Sequence, residues 1–306
     1  MRILFITSTR IGDAVLSTGL LDHLLRAHPG AEVTVACGPA AEGLFARMPN
    51  RARTIVMTKR GLARHWFALW RATVGTRWDL VVDLRGSAVA WTVRARRRAI
   101  KKGGRRPGHR LLHIAETLGL TPAPRPVAWF GAEDAARVAA WLPAGPFLAL
   151  GPTANVRMKV WPAERFVQLA QALTGPDGPL PGAPVVVLGG PGPVEAEMAA
   201  PLLAALPDAV DLVGRLSLPE AAAVLARAAL YVGNDSGLMH LAAATGAPTL
   251  GLFGPTQAAE YAPVGPRAQA VLAAGPPGGS PMTRLALGPV VAAARRALAR
   301  EPAPAG

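Results

Sequence analysis

The sequence predicts an α/β protein with two open sheets of parallel strands, each wrapped by helices, and a cleft between them. Short apolar runs alternate with helix-length amphipathic segments through both halves of the 306 residues. Glycine-containing turns follow most of those runs, as at Gly12-Asp13, Arg85-Gly86-Ser87 and Gly189-Gly190. One stretch, LYVGNDSGLMHLAAATGAPTLGLFGP at 230–255, reads as a complete strand–loop–helix–strand unit, the crossover element of a parallel sheet.

In chain order, 2–8 reads as a buried strand, 9–13 as a loop and 14–27 as a helix. Val15, Leu16, Leu20, Leu21, Leu24 and Leu25 form that helix's apolar stripe. Pro29-Gly30 stops it, and 32–36 is the next strand. Gly12 and Asp13 thus fall at the carboxyl end of the first strand, where ligands of open α/β sheets gather. No G-x-G-x-x-G is present, so the dinucleotide fingerprint is missing. A strand at 55–58 precedes a basic amphipathic helix at 59–74, with Trp66 and Trp70 expected on its packed face. Such a helix is also suited to a membrane surface. A strand follows at 80–84. The charge run RARRRAIKKGGRRPGHR at 94–110 is interrupted by Gly and Pro, so it reads as at least partly loop. A helix begins at 113–118, and Pro122, Pro124 and Pro126 stiffen a linker.

The second half restarts with a strand at 147–150 and a helix at 163–173 that has Pro162 at its start. Strands at 185–188 and 210–213 and helices opening at Glu195 and spanning 221–229 follow. The unit at 230–255 comes next, and an amphipathic helix at 290–300 closes the chain.

Composition narrows the function. Hydrophobic residues make up 51% of the chain, enough for two sizeable cores. A single cysteine, Cys37, excludes an internal disulfide framework and a multi-cysteine metal site. No apolar run approaches ~18 residues, so no membrane-spanning helix is expected. The first ten residues are too short and strand-like for a signal peptide. The net charge of +14 is uneven: residues 1–130 hold 22 Lys and Arg against 7 Asp and Glu, and residues 131–306 hold 11 against 12. The first half therefore calls for an anionic partner, and Arg in the 94–110 run is suited to clamping phosphates.

At 230–255 the residue types suggest chemistry. Asp235 and Ser236 sit where a helix N-cap belongs, and Gly237 allows close approach to the backbone. The free N–H groups of that first turn make an anion site. His240 lies about one turn further in.

Five segments then carry a resemblance: ILFITSTRIGDAVLSTGLLDHLL, DLVVDLRGS, LALGPTANVRMKVWPAERFVQLA, VVVLGGPGPVEAE and VGNDSGLMHLAAATGAPTLGLFGPT. In this order, over roughly 1–265, they resemble the family 9 glycosyltransferases, whose best-known members are the ADP-heptose:lipopolysaccharide heptosyltransferases. The resemblance implies the GT-B fold: a Rossmann-like acceptor domain at 1–130, a Rossmann-like nucleotide-sugar domain at 146–285, and a C-terminal helix and tail at 286–306. It implies inverting, metal-independent transfer from a nucleotide-sugar such as ADP-heptose, with no cofactor and no metal site. Asp13, beside Gly12, matches the family's general base. Lys159 matches the Lys before Trp-Pro that neutralises the leaving diphosphate. Asp235 matches an Asp that could hold Lys159. Thr153, Ser236 and Gly237 match phosphate contacts, His240 a nucleotide contact and Leu216 an apolar contact to the base. Glu195 or Glu197 falls where the family uses a Glu near the ribose, and spacing does not decide between them. The implied partners are the donor and an anionic lipid-linked glycan, with peripheral contact at the cytoplasmic face of the inner membrane and no nucleic acid. The segment after Pro266 is trimmed relative to the family, which bears on sugar specificity. Two other readings compete: a sugar-nucleotide epimerase of related two-domain fold, and a basic non-enzymatic protein that binds nucleic acid or membrane.

Overall fold

A computed structural model describes residues 1–59, 61–104 and 106–299. Residues Met1–Trp129 form one compact unit, and the chain from Phe130 onward forms a second.

The first unit contains β1 (Arg2–Ile6), α1 (Ile11–Ala27), β2 (Glu32–Cys37), β3 (Arg51–Val56), α2 (Arg64–Thr73), β4 (Trp78–Asp83), α3 (Val89–Thr92), β5 (Ala95–Ile100) and α4 (Arg110–Ala115). Its strands are all parallel, in the order β3-β2-β1-β4-β5. The chain starts in the middle, runs out to β3 and returns to β4, so the switch point lies between β1 and β4. β1, with Ile3, Leu4, Phe5 and Ile6 fully buried, is apolar on both faces, as a central parallel strand requires. α2 and α3 pack on one face of the sheet through Leu69, Val89 and Ala90.

The second unit contains α5 (Ala132–Ala139), β6 (Leu148–Gly151), α6 (Ala163–Thr174), β7 (Val185–Val187), α7 (Pro193–Ala205), β8 (Val210–Asp211), α8 (Leu218–Arg227), β9 (Leu230–Asn234), α9 (Gly237–Ala244), β10 (Thr249–Phe253), α10 (Ala258–Tyr261), β11 (Ala268–Leu272) and α11 (Leu287–Ala299). The sheet order is β11-β10-β9-β6-β7-β8, parallel throughout. This is the doubly wound order, with its switch point between β6 and β9. α11 joins the core through Val290, Ala293, Ala294 and Ala297, packed against α6. Arg300, expected at the end of that helix, lies outside the described residues.

Several expectations are corrected. Gly12 and Asp13 are not in a loop: α1 starts at Ile11, so both lie in its first turn. The strand read at 55–58 is β3 at Arg51–Val56, and the Arg-rich 94–110 run begins as a strand, β5. Both are edge strands, where solvent-facing Arg is tolerated and blunts further pairing. Their charge hid them from a hydrophobicity reading. Arg105 of the same run lies outside the described residues. The helix read at 59–74 shrinks to α2, preceded by a 3₁₀ turn at Gly61–Ala63. Within α2, Leu69 is buried, Trp66 and Trp70 are half-buried, and Phe67 is exposed. Arg60 and the side chain of Leu62 lie outside the description. α4 begins at Arg110 rather than 113, because His109 Nδ1 accepts the Leu111 N–H at 3.1 Å and caps the helix. α5 forms between the predicted domains 1–130 and 146–285 and packs on α8, with Arg137 3.6 Å from Glu220.

Cys37 ends β2, fully buried, and burial pushes its thiol up to about 12. At pH 8 the reactive thiolate is therefore scarce in the folded chain. The native protein is expected to leave a colorimetric thiol reagent unreacted at pH 8, and to titrate one thiol in guanidinium chloride. Fast labelling without denaturant would contradict this placement.

Candidate active site

The site in the second unit is built at the β6/β9 switch point. β9 carries Leu230-Tyr231-Val232-Gly233 into the core, and its last residue, Asn234, is fully buried. The carboxamide of Asn234 bridges the loop that follows β6. Its Nδ2 donates to Pro152 O at 2.8 Å, and its Oδ1 accepts the Trp161 N–H at 3.0 Å. Both bonds are buried, so a lost partner leaves an unsatisfied backbone group.

Trp161 explains the position of Lys159. The indole is fully buried, donates from Nε1 to Leu285 O at 2.8 Å and meets Phe166 edge-on at 5.0 Å. Two residues earlier, Lys159 points back over the end of β9. Its Nζ donates to Asp235 Oδ2 at 2.7 Å, with the two side chains 20% and 8% exposed. A pair this enclosed costs about 3–5 kcal/mol to break by removing one partner, since a charge is left uncompensated. The expected Lys159–Asp235 contact is therefore present.

The helix start beside it is open. Ser236 is the N-cap of α9, its Oγ accepting from Met239 N–H at 3.4 Å, and Gly237 is the first helical residue. Both are half-exposed, while His240, one turn in, is buried. Behind them, Tyr231 lies flat along the sheet. A Cβ on Gly151 or Gly233 would run into its hydroxyl, so these two glycines make the slot for the ring. Burial pushes the Tyr231 phenol well up, so it stays protonated, with Ser236 and Glu195 in its electrostatic surroundings.

A second group gathers on the loops after β6, β7 and β8. The Thr153 hydroxyl donates to Glu195 Oε2 at 2.6 Å, and the Gly190 N–H donates to the same oxygen at 2.6 Å. Gly192, at φ 112°, turns the chain into α7 so that Glu195 falls in the first turn, facing these loops. Glu197 is instead exposed and ion-paired with Arg157. Leu216 is half-buried just before Ser217, the N-cap of α8.

In the first unit, Gly12 and Asp13 are half-exposed in the first turn of α1, at the β1/β4 switch point. The loop after β4 is shaped by the buried Asp83, which accepts from Arg85 N–H at 2.7 Å and from Ser87 N–H and hydroxyl, both at 2.6 Å. Lys101 follows β5, tied to Asp83 O through its own N–H at 2.8 Å. Its ammonium is held below the usual lysine range, first by burial and then by the nearby charges of Arg110 and Arg106, with Asp13 opposing. The 94–110 run thus divides. Arg98 is structural, donating to the carbonyls of Ala90, Val93 and Ala95. Lys101 gathers with Arg106 and Arg110, and the Asp13 carboxylate also acts on its ammonium.

The residue-by-residue reading missed Asn234, Tyr231 and Lys101. A buried strand that ends in Asn was the available signal for the first; nothing local marks the others. Among the described residues, no group of three or more His, Cys, Asp or Glu side chains is gathered as a metal ligand set.

Two Rossmann-like units, one with an ammonium beside an open helix start at its switch point, make an architecture of the GT-B kind. The model of glycosyltransferase family 9 (heptosyltransferase) matches residues 109–279. Lipopolysaccharide heptosyltransferase 1 of Pseudomonas aeruginosa is 29% identical over 295 residues, covering 84% of this chain and 79% of the relative. Two solved structures share the fold over nearly the whole chain. The family 9 glycosyltransferase of Veillonella parvula has a TM-score of 0.79, 21% identity and 97% coverage of both chains. ADP-heptose lipopolysaccharide heptosyltransferase II of E. coli has a TM-score of 0.77 and 22% identity, covering 97% of this chain and 98% of that one. The chain belongs to glycosyltransferase family 9, with the GT-B fold, and is a glycosyl-transferring enzyme.

Asn234→Ala removes both loop bonds and leaves the Trp161 N–H and Pro152 carbonyl unpaired. It is expected to cost about 2–4 kcal/mol of stability of the second unit, read as a lower urea midpoint. An unchanged midpoint would show that the bridge holds nothing.

Proposed function

We propose that the enzyme transfers a heptose from ADP-heptose to a phosphorylated lipopolysaccharide core or related glycan, with inversion at the anomeric carbon. The observation that carries this is the Lys159–Asp235 pair beside the open N-terminus of α9. A diphosphate is the ligand such a place suits, because the amides of a helix start and an ammonium both favour concentrated negative charge. Family membership supports heptose as the sugar, and the activity named for the Pseudomonas aeruginosa relative supports lipopolysaccharide as the acceptor.

In this reading Ser236 and Gly237 donate to the phosphates and Lys159 neutralises charge as the C1–O bond to ADP breaks. Asp235 keeps Lys159 in place. Thr153 adds a phosphate contact, Glu195 faces the ribose, Leu216 lies against the base, and His240 contacts the nucleotide. On the first unit, Asp13 accepts the proton of the acceptor hydroxyl as that oxygen bonds to C1. ADP leaves with the electron pair of the broken bond, so the step balances as one displacement. Gly12 keeps the backbone beside Asp13 uncrowded, and Lys101, Arg106 and Arg110 receive the acceptor's phosphates. The donor and a glycan acceptor are the partners in this reading; no resident cofactor takes part, and the site is placed on the cytoplasmic side of the membrane.

A panel of nucleotide-sugars tested by calorimetry is the direct check. ADP-heptose is expected to bind, and UDP- and GDP-sugars to bind at least tenfold more weakly. Lys159→Met is expected to weaken ADP-heptose by roughly tenfold to a hundredfold, since a hydrogen bond to a charged group contributes about 1.5–3 kcal/mol. Preference for a UDP-sugar would replace the donor assignment, and unaltered affinity in Lys159→Met would remove the diphosphate site.

Asp13→Asn keeps the shape of the first turn but removes the proton acceptor. It is expected to retain ADP-heptose affinity and to lose about 10²–10⁴-fold in turnover. Near-normal turnover would eliminate Asp13 as the base.

A further inference from the structure

Tyr231 is at odds with its own strand. β9 is a central parallel strand, where apolar side chains belong on both faces, yet Tyr231 buries a hydroxyl completely. Phe would fill the same space without taking a hydroxyl out of water. The chain also gives up two side chains to admit the ring. Gly151 and Gly233 are paired across β6 and β9, and a Cβ on either would collide with the phenolic oxygen. Glycine weakens a strand interior, so three neighbouring positions depart from what the sheet alone favours. Departures of this kind gather at functional sites, where local preference gives way to the placement of a group.

The glycines fix where that oxygen is. It lies over Gly233, two residues further along the same strand, and over Gly151, the last residue of β6. This is the carboxyl end of the sheet, close in the chain to the start of α9. Among the described residues the oxygen has no well-formed hydrogen bond. Ser236 is the side chain near enough to bond it, and the Glu195 charge also acts on it. Glu195 is already engaged: its Oε2 accepts from the Thr153 hydroxyl and the Gly190 N–H. Ser236 has capacity left. Its Oγ accepts from the Met239 N–H at 3.4 Å, which leaves one lone pair and its own proton to place. Burial keeps the phenol protonated, so Tyr231 remains a donor at neutral pH.

We propose that Tyr231 is a positioning residue: its hydroxyl donates to the second lone pair of Ser236 Oγ and so directs the serine proton out of the helix start, onto a diphosphate oxygen. A hydroxyl that accepts twice from the protein has only its own O–H left to give. Ser236 then meets an anion as a ready donor, with no reorganisation when the ligand arrives. This rests on the reading of the α9 start as the diphosphate site, and it adds a residue behind that site which never touches the ligand.

The test is a double-mutant cycle on the full chain, read by calorimetry with ADP. Tyr231→Phe keeps the ring in its slot and removes only the hydroxyl. It is expected to weaken ADP by roughly threefold to tenfold, the net size of one hydrogen bond. Ser236→Ala is expected to weaken ADP by roughly tenfold or more, because its bond is to a charged group. The double variant is expected to bind as Ser236→Ala does, within about twofold, since the phenol then has no serine to orient. Ser236→Thr keeps a hydroxyl there and is expected to keep the response to Tyr231→Phe. A purely structural tyrosine would instead lower the urea midpoint and leave ADP affinity alone, or weaken ADP equally with and without the Ser236 hydroxyl. Either result overturns the proposal. Lys159→Met checks the diphosphate reading separately. If ADP fails to bind the wild-type protein, or binds Lys159→Met unaltered, the diphosphate site and this inference fall together. If Lys159→Met loses ADP while Tyr231→Phe binds it as wild type does, this inference falls alone.

Discussion

The second unit depends on one side-chain amide. Asn234 stands at the end of β9, where the sheet switches direction and two loops must leave the core side by side. Loops carry unpaired backbone groups, and burying any of them without a partner is expensive. By donating to Pro152 O and accepting from Trp161 N–H, Asn234 fixes both ends of the segment that presents Lys159. No other residue type offers a donor and an acceptor on one short planar group at that spot. Asp has no donor there, and Leu has neither. The ion pair that follows is therefore a consequence: Lys159 meets Asp235 because Trp161 is locked below it.

Rigidity under the site has a second source in the glycines at 151 and 233. They sit opposite each other in the β6/β9 pairing and leave the room that the Tyr231 ring fills. A central parallel strand is apolar on both faces, so a phenol there is unusual. Its hydroxyl stays buried in the slot that the two glycines leave, with Ser236 and Glu195 in its electrostatic surroundings. The result is a packed floor beneath an exposed helix start. The backbone amides at Ser236 and Gly237 can then be held ready for an anion without reorganising, which is the condition for electrostatic stabilisation of a leaving group.

Much of this was legible because the signals were local. The 230–255 unit combines a buried strand, an N-cap Ser, a helix of Ala and Leu and a Gly-Ala-Pro stop within one window, so its strands and helix emerge within a residue or so of their places. The parts that stayed hidden are those decided by distant neighbours. β3 and β5 are strands because they lie at sheet edges, and their Arg residues reported solvent instead of strand. β11 falls in a stretch with no alternation to mark it. Residues 9–13 read as loop because no capping residue marks a helix start there; Arg10 makes no side-chain cap, and the helix starts at Ile11 because its apolar stripe from Ala14 to Leu25 is buried. Spacing could not separate Glu195 from Glu197, because the choice is made by Gly192, whose backbone turns the first toward Thr153 and leaves the second to Arg157.

Net charge points to an anionic partner but not to a site, and the structure shows why. A count of basic residues treats all as equivalent, whereas the fold allots them different tasks. Arg98 is consumed by three carbonyls, Arg96 lies against Asp79 and Arg106 is bonded to Glu116. What matters is the place where positive groups crowd together. Lys101 reports that crowding: burial and the charges of Arg110 and Arg106 hold its ammonium down, and Asp13 offsets only part of it. Like charges gathered in one place repel, so the arrangement is costly until an anion arrives. In the proposed function, an incoming phosphate would relieve that repulsion as well as gain its own attraction. Because Lys101 also feels Asp13, the cluster to which the proposed function gives the acceptor's phosphates and the carboxylate to which it gives the proton belong to one end of one sheet.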